Sequence, residues 1–128
     1  MESVLLVAPD DYDTKFRRRL EERWTVTEGA GPACVVEEHD TRVYLARNPY
    51  APTELEPQEL EEIRAVIPNP IFYTLDFTDI LLCRSVLETI ANDPRLLIDN
   101  DHGVRLSGTD FIRMLRSQRD WDWRRDKL

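Results

Sequence analysis

Hydrophobic and polar residues follow two different periods along this chain, and each period predicts one kind of element. Runs of β-branched, aliphatic or aromatic residues with the length of a strand occur at Val4–Ala8, Cys34–Glu38, Thr41–Arg47, Ile71–Phe77, Leu96–Asp99 and Val104–Leu106. Trp24–Val26 is a further candidate for the start of a strand. Because Ile71–Phe77 is apolar on more than one side, we expect it at the centre of a sheet.

Other stretches place their apolar residues three or four positions apart, as on one face of a helix. These predicted helices are Tyr12–Leu20, Glu54–Val66, Ile80–Asn92 and a last one that carries Phe111, Met114 and Leu115. Thr53 with Glu56 predicts a capping box for the second helix. Thr78 or Asp79 is placed to start the third, and Ser107 to start the last.

The order of these elements is βαββαβαββα, in which hairpins of strands are mixed with single helices. This order favours an α+β fold over a doubly wound parallel sheet. We predict a mixed, mostly antiparallel sheet of about five to six strands covered by about four helices. In this interpretation residues 1–118 are a single domain and residues 119–128 a charged tail. Its Trp121 and Trp123 either pack on the domain or form an exposed anchor.

The charge of the chain narrows the class of partner. The 128 residues include 25 acidic and 17 basic ones, a formal net charge of −8. An acidic surface repels phosphate groups, which disfavours nucleic acids and anionic membranes and favours a basic protein. A net charge of this size also serves solubility alone. The sequence opens with no basic leader, and Cys34 and Cys83 indicate no disulfide framework, so we expect a cytoplasmic protein.

The segment Asp99–Gly103 concentrates carboxylates and an imidazole, which are ligands for metal ions. Its spacing does not match a calcium-binding helix-loop-helix, and its residue types are also those that a tight hairpin turn requires. His39–Asp40 occupies the predicted tip of another hairpin. One hypothesis is that the two tips meet in a metal or acid–base site of a small hydrolase, with the ligands His39, Asp99, Asp101 and His102.

Motifs for covalent catalysis are missing from the sequence. Ser85 lies inside an apolar helical run, and there is no GxSxG motif and no glycine-rich phosphate loop. Asp76 and Asp79 form a candidate carboxylate pair at the end of a strand, but they are equally typical of the start of a helix. We therefore expect no enzyme and no cofactor.

Carboxylates are dense on the second predicted helix and its approach, next to an aromatic residue. The residues that we predict to bind a partner are Tyr50, Glu54, Glu56, Glu59 and Glu62. Charges of one sign steer a basic protein toward such a surface, and an aromatic side chain anchors it. The alternative is an ordinary solvated helix face.

Four segments of the second half of the chain resemble small bacterial domains, some of which are similar to immunity proteins encoded beside secreted or contact-delivered toxins. The segments are Leu75–Leu82, Val86–Ala91, Leu97–Gly103 and Leu106–Phe111. The resemblance covers about residues 70–116, and its motifs are structural. It implies a non-catalytic inhibitor of a toxin, and it supplies no catalytic residues.

The preferred hypothesis is a non-catalytic binding protein that inhibits a basic toxin, such as a nuclease, by occluding its active site. Two alternatives stay open. The first is the metal-dependent hydrolase at the hairpin tips. The second is a subunit of a larger assembly that uses Trp121 and Trp123 as its contact.

Overall fold

The computed structural model describes residues 1–29, 34–118 and 120–124. Within these residues the strands are β1 (Glu2–Ala8), β2 (Val26–Glu28), β3 (Cys34–Glu38), β4 (Thr41–Arg47), β5 (Ile71–Phe77), β6 (Leu97–Asp99) and β7 (Arg105–Ser107). The helices are α1 (Asp13–Glu21), α2 (Ala51–Glu54), α3 (Pro57–Val66), α4 (Ile80–Ile90) and α5 (Gly108–Ser117).

The strands form one sheet in the order β2-β3-β4-β5-β1-β6-β7. Every strand pair in the described ranges is antiparallel. This confirms the predicted α+β class, with β2 as one further strand and with the second predicted helix split into α2 and α3. β5 is the fourth of the seven strands, which confirms its predicted central position.

β1 and β5 pair in register along all seven residues of each strand. Val4, opposite Leu75, lies in the larger core on one face of the sheet, and Val7, opposite Phe72, lies in a second core on the other face. Successive side chains of a strand point to opposite faces, so the pair needs apolar residues on both faces where Val7 and Phe72 lie. This requirement explains why neither strand shows a clean alternation of polar and apolar residues.

Helices α1, α4 and α5 cover one face of the sheet and bury the larger core. α4 starts at the predicted cap, because the carboxylate of Asp79 accepts hydrogen bonds from the amides of Leu81 and Leu82 at 2.8 and 3.2 Å. The buried residues of the three helices recur at helical spacing and are Phe16, Leu20, Leu82, Cys83, Val86, Leu87, Ile90, Gly108, Phe111, Ile112 and Leu115. The helical periods of the sequence therefore identify the faces that pack on the sheet.

The opposite face of the sheet is covered only in part, by α2 and α3. Its second core consists of Val7, Ala51, Ile63, Ile67 and Phe72. The rest of this face is polar and partly or fully exposed at Ser3, Tyr44, Thr74 and Asp76. A step therefore separates the covered part of the face from the open part.

The predicted helix Glu54–Val66 is wrong in its first turn. The capping box of Thr53 and Glu56 does not form, because the Thr53 hydroxyl donates to the carbonyl oxygen of Tyr50, the residue before α2, and α3 has no side-chain cap. Two prolines explain the break. Pro52 and Pro57 each lie in the first turn of a helix, where proline is tolerated, so the segment forms two short helices in place of one.

The tail residues that the structure describes pack on the domain. Trp123 is 3% exposed, and its ring lies 5.6 Å from the ring of Phe77. The ring of Trp121 lies 5.3 Å from that of Phe111. Of the two alternatives for Trp121 and Trp123, the structure therefore shows packing on the domain. Residues 119 and 125–128 of the predicted tail lie outside the described residues.

Asp93, between α4 and β6, joins α1 to the end of α4. Its carboxylate accepts hydrogen bonds from the Tyr12 hydroxyl at 3.0 Å, from the Arg19 guanidinium at 3.2 Å and from the Arg95 amide at 2.9 Å. Burial by itself raises the pKa of Asp93, but these hydrogen bonds outweigh it and hold the pKa below its ordinary value. The ionised form of Asp93 therefore stabilises the fold.

We expect Asp93→Asn to lower the free energy of unfolding by about 1–3 kcal/mol near neutral pH. Because the folded pKa is lowered, the contribution of Asp93 is present above the unfolded pKa of about 3.9 and is lost as the pH falls through the folded pKa. The variant should therefore lose less stability than the wild type below about pH 4. Urea unfolding at several pH values measures both effects.

The control variant is Asp10→Asn, which removes ion pairs of Asp10 with Lys15 and Arg95 at half-exposed positions. Such surface pairs contribute between about 0 and 1 kcal/mol, so this variant should stay close to the wild type at every pH. Equal losses in the two variants would contradict the role assigned to Asp93.

Candidate functional site

A cleft of about 390 Å³ lies at the step between the covered and the open part of the second sheet face. Its floor is formed by β1 and β5, one wall by α2 with the residue that follows it, and the other wall by the loop between β6 and β7. The residues that line it are Ser3, Val4, Leu5, Asn48, Ala51, Glu54, Leu55, Thr74, Asp99 and Asp101. Apolar and hydroxyl-bearing residues thus form the floor, and carboxylates stand on both walls.

The α2 wall is held in place by one asparagine. Asn48 donates from its side-chain amide to the hydroxyl of Thr74 at 2.9 Å and from its backbone amide to the carbonyl of Phe72 at 2.8 Å. Its own carbonyl accepts a hydrogen bond from the amide of Ala51, the first residue of α2. Asn48 therefore fixes α2 against β5, and this places Glu54, the last residue of α2, over the cleft.

The opposite wall is positioned by the strand register. Leu5 of β1 pairs with Asp99 of β6, so the β6–β7 loop begins beside the floor of the cleft. The carboxylate of Asp99 accepts a hydrogen bond from the Asp101 amide at 2.7 Å. Asp101 and Gly103 have φ angles of 63° and 97°. The loop is thus a hairpin turn built on residues with left-handed backbone. This agrees with the hairpin alternative that the sequence offered for Asp99–Gly103.

Arg105 of β7 neutralises part of the predicted acidic surface. Its guanidinium contacts the carboxylates of Asp99, Glu59 and Glu62 at 3.0, 3.3 and 3.1 Å. Two of the four glutamates predicted to bind a partner are therefore engaged with a cation of the chain itself. Glu54 is exposed and has no such contact within the described residues.

The remaining predicted partner residues lie around α2. The side chain of Tyr50 is 70% exposed, and its backbone amide donates to the side-chain oxygen of Asn48 at 3.1 Å. Tyr50 immediately precedes Ala51, which lines the cleft. Glu56 is exposed in the link between α2 and α3. Tyr50 and Glu54 thus flank one end of the cleft, whereas Glu59 and Glu62 belong to the Arg105 network.

The two hairpin tips of the metal-site hypothesis do not meet. The strand register places both at the same end of the sheet, but four strand spacings separate them, roughly 19 Å at the usual distance between strands. The side chain of His39 is 92% exposed, and its contact is with Glu38 at 3.9 Å. Within the residues that the structure describes, there is no group of three or more His, Cys, Asp or Glu side chains placed to hold a metal ion.

Three polar residues of the cleft were missed by sequence reasoning, namely Ser3, Asn48 and Thr74. The hydroxyl of Ser3 donates to the carboxylate of Asp76 on the neighbouring strand. The available signal was a polar residue in a strand that is mostly apolar, at Ser3 in β1 and at Thr74 in β5. Such interruptions mark the part of a central strand that no helix covers.

Comparison of the chain with protein-family models, with curated proteins and with solved structures finds no match in any of the three. The described part of the chain contains no helix that is long and apolar enough to cross a membrane. The proposal of a function therefore rests on the sequence of the chain and on its cleft.

We expect Arg105→Met to destabilise the fold by about 2–4 kcal/mol, because it leaves the carboxylate of Asp99 buried beside Glu59 and Glu62 without a cation. The matched control is Arg113→Met, which removes an exposed ion pair with Asp110 and should cost less than about 1 kcal/mol. Urea denaturation of both variants gives the comparison. A loss for Arg105→Met no larger than that of the control would show that the network does not hold β7 to α3.

Proposed function

We propose that this chain is a non-catalytic binding protein that docks a basic protein at the cleft and the open part of the second sheet face. The observation that carries the proposal is the cleft itself, with an apolar and hydroxyl-bearing floor between carboxylates on two walls. A lysine or arginine side chain matches this arrangement, because its aliphatic stem packs on an apolar floor while its charged end reaches the carboxylates.

Two features around the cleft suit a protein partner more than a small molecule. Tyr50 presents an exposed ring next to the α2 wall, and aromatic residues often anchor protein interfaces. The sheet face beyond the cleft continues with the partly exposed polar residues Tyr44 and Asp76. A partner seated on the cleft therefore finds further contact area, and the net charge of −8 accelerates the approach of a basic protein.

The finer proposal is that the partner is a toxin and that binding occludes its active site. A nuclease that binds phosphate groups needs a basic surface, and the acidic cleft is complementary to such a surface. This inhibition requires affinity and coverage and no reaction on the part of the inhibitor. The support for it is the resemblance of residues 70–116 to immunity proteins together with the sign of the charge.

The proposal predicts that charge reversal at Glu54 weakens binding of a basic probe. The probe is a short lysine-rich peptide with blocked ends, and a glutamate-rich peptide of equal length shows whether the charge matters. We expect Glu54→Lys to weaken binding about tenfold at low salt, since it removes one attraction and adds one repulsion. Heteronuclear NMR titration yields the affinity and locates the perturbed amides.

Glu61→Lys is the matched control, because Glu61 is exposed on α3 and does not line the cleft. It makes the same change in net charge and should retain nearly all of the affinity. Perturbed amides at residues of the cleft, such as Leu5, Thr74 and Asp101, would support the proposal. Equal loss of peptide affinity in both variants would show that the attraction is non-specific, and so would amide shifts spread over all acidic surfaces. Either result would refute the proposal.

The toxin proposal has its own test. The purified product of the coding region next to that of this chain serves as the candidate partner. We expect it to be basic and to arrest growth when produced alone. Production of this chain should restore growth, and Glu54→Lys should restore it less well than Glu61→Lys. A neighbouring gene product that is harmless, or that does not bind this chain, would refute the toxin proposal and leave the general binding proposal unchanged.

A further inference from the structure

Residues Trp121–Arg124 form a strap that crosses the larger core at one end of the sheet. The ring of Trp123 lies 5.6 Å from that of Phe77 and 6.4 Å from that of Phe111. The Arg124 guanidinium is 3.0 Å from the carboxylate of Glu2 in β1. The strap therefore contacts both central strands and α5.

The strap also holds the β6–β7 loop, through one buried side chain. Asn100 is 1% exposed, and its side-chain amide donates to the carbonyl oxygen of Trp123 at 3.0 Å. The side-chain oxygen of Asn100 accepts hydrogen bonds from the amides of His102 and Val104 at 2.9 and 3.1 Å. One residue thus joins the strap to the turn of the loop.

The loop that the strap holds is also a wall of the cleft. Asn100 stands between Asp99 and Asp101, and both of these residues line the cleft. On its other side the same loop lines a second pocket of about 230 Å³ together with Arg124 of the strap. Ser3 and Asp101 belong to both cavities. A short chain of direct contacts therefore joins the strap to Asp101.

We infer that the strap sets the position of the β6–β7 loop and is thereby coupled to the cleft. When the strap is docked, the loop holds the carboxylate of Asp101 across the cleft from Glu54. When the strap is released, the loop loses the anchor of Asn100, and a cation in the cleft loses one of its two walls. Coupling between two sites is reciprocal, so a bound cation must in turn tighten the strap. The part of this inference that concerns a cation bound in the cleft rests on the proposed function.

Asn100→Asp tests the inference with almost no change in shape. The aspartate keeps an oxygen that accepts from His102 and Val104, but it replaces the donor to Trp123 with a second oxygen that repels the carbonyl. Asn92→Asp, at an exposed position after α4, makes the same chemical change away from the strap and is the control. If Asn100→Asp fails to fold, Trp121→Ala takes its place, because it removes ring packing on Phe111 and leaves the loop residues unchanged.

The first measurement needs no ligand. In a Trp24→Phe background, acrylamide quenching of tryptophan fluorescence reports release of the strap, because both remaining tryptophans belong to it. Amide hydrogen exchange at His102 and Val104 reports freedom of the loop. We expect quenching to increase and exchange to accelerate at least about tenfold in Asn100→Asp or Trp121→Ala, with no change in Asn92→Asp. Increased quenching with unchanged exchange at the loop would overturn the inference, since the strap would then not set the loop.

The second measurement uses the lysine-rich peptide. The strap variants should bind it about fivefold more weakly than the wild type, and saturating peptide should reduce tryptophan quenching in the wild type. If the wild type binds the peptide and the strap variants bind it equally well, the coupling is refuted and the proposed function stands. If the wild type does not bind the peptide, the proposed function is refuted, and so is the coupling of the strap to a bound cation. The exchange measurement still decides whether the strap sets the position of the loop.

Discussion

The pairing of β1 with β5 is the constraint from which the architecture follows. Both strands lie in the middle of the sheet, and they bury side chains along most of their length on one face but only at Val7 and Phe72 on the other. A strand pair of this kind needs cover on both sides, and α1, α4 and α5 supply it fully on one side. On the other side α2 and α3 cover only the part around Val7 and Phe72.

The unequal cover of the two faces creates the candidate site. Where α2 ends, the central strands change from apolar to polar side chains, and the cleft lies at this border. The cleft therefore needs no separate scaffold, since the residues at the edge of the second core adjoin the floor of the cleft. Arg105 keeps the acidic groups on the α3 side neutralised, which leaves Glu54 and Asp101 as the exposed carboxylates on the two walls.

Sequence reasoning succeeded where the residue types of a segment decide its structure, and it failed where neighbouring prolines or distant segments decide. The apolar run Ile71–Phe77 and the turn residues of Asp99–Gly103 carry their structure in their own composition, so both were predictable. The capping residues Thr53 and Glu56 did not cap, because nearby prolines offered better helix starts. The cleft was not predictable, since it depends on a register between strands that are more than 60 residues apart.

The position of β1 also shapes how the chain reaches its fold during synthesis. β1 leaves the ribosome before either neighbour exists, since Ala8 pairs with Ile71 and Leu5 with Asp99. The apolar strand β1 therefore stays unpaired until more than half of the domain has been translated. Trp123 joins the core later still. Nascent chains interrupted before β5 expose β1 without a pairing partner, and such an unpaired apolar strand favours aggregation.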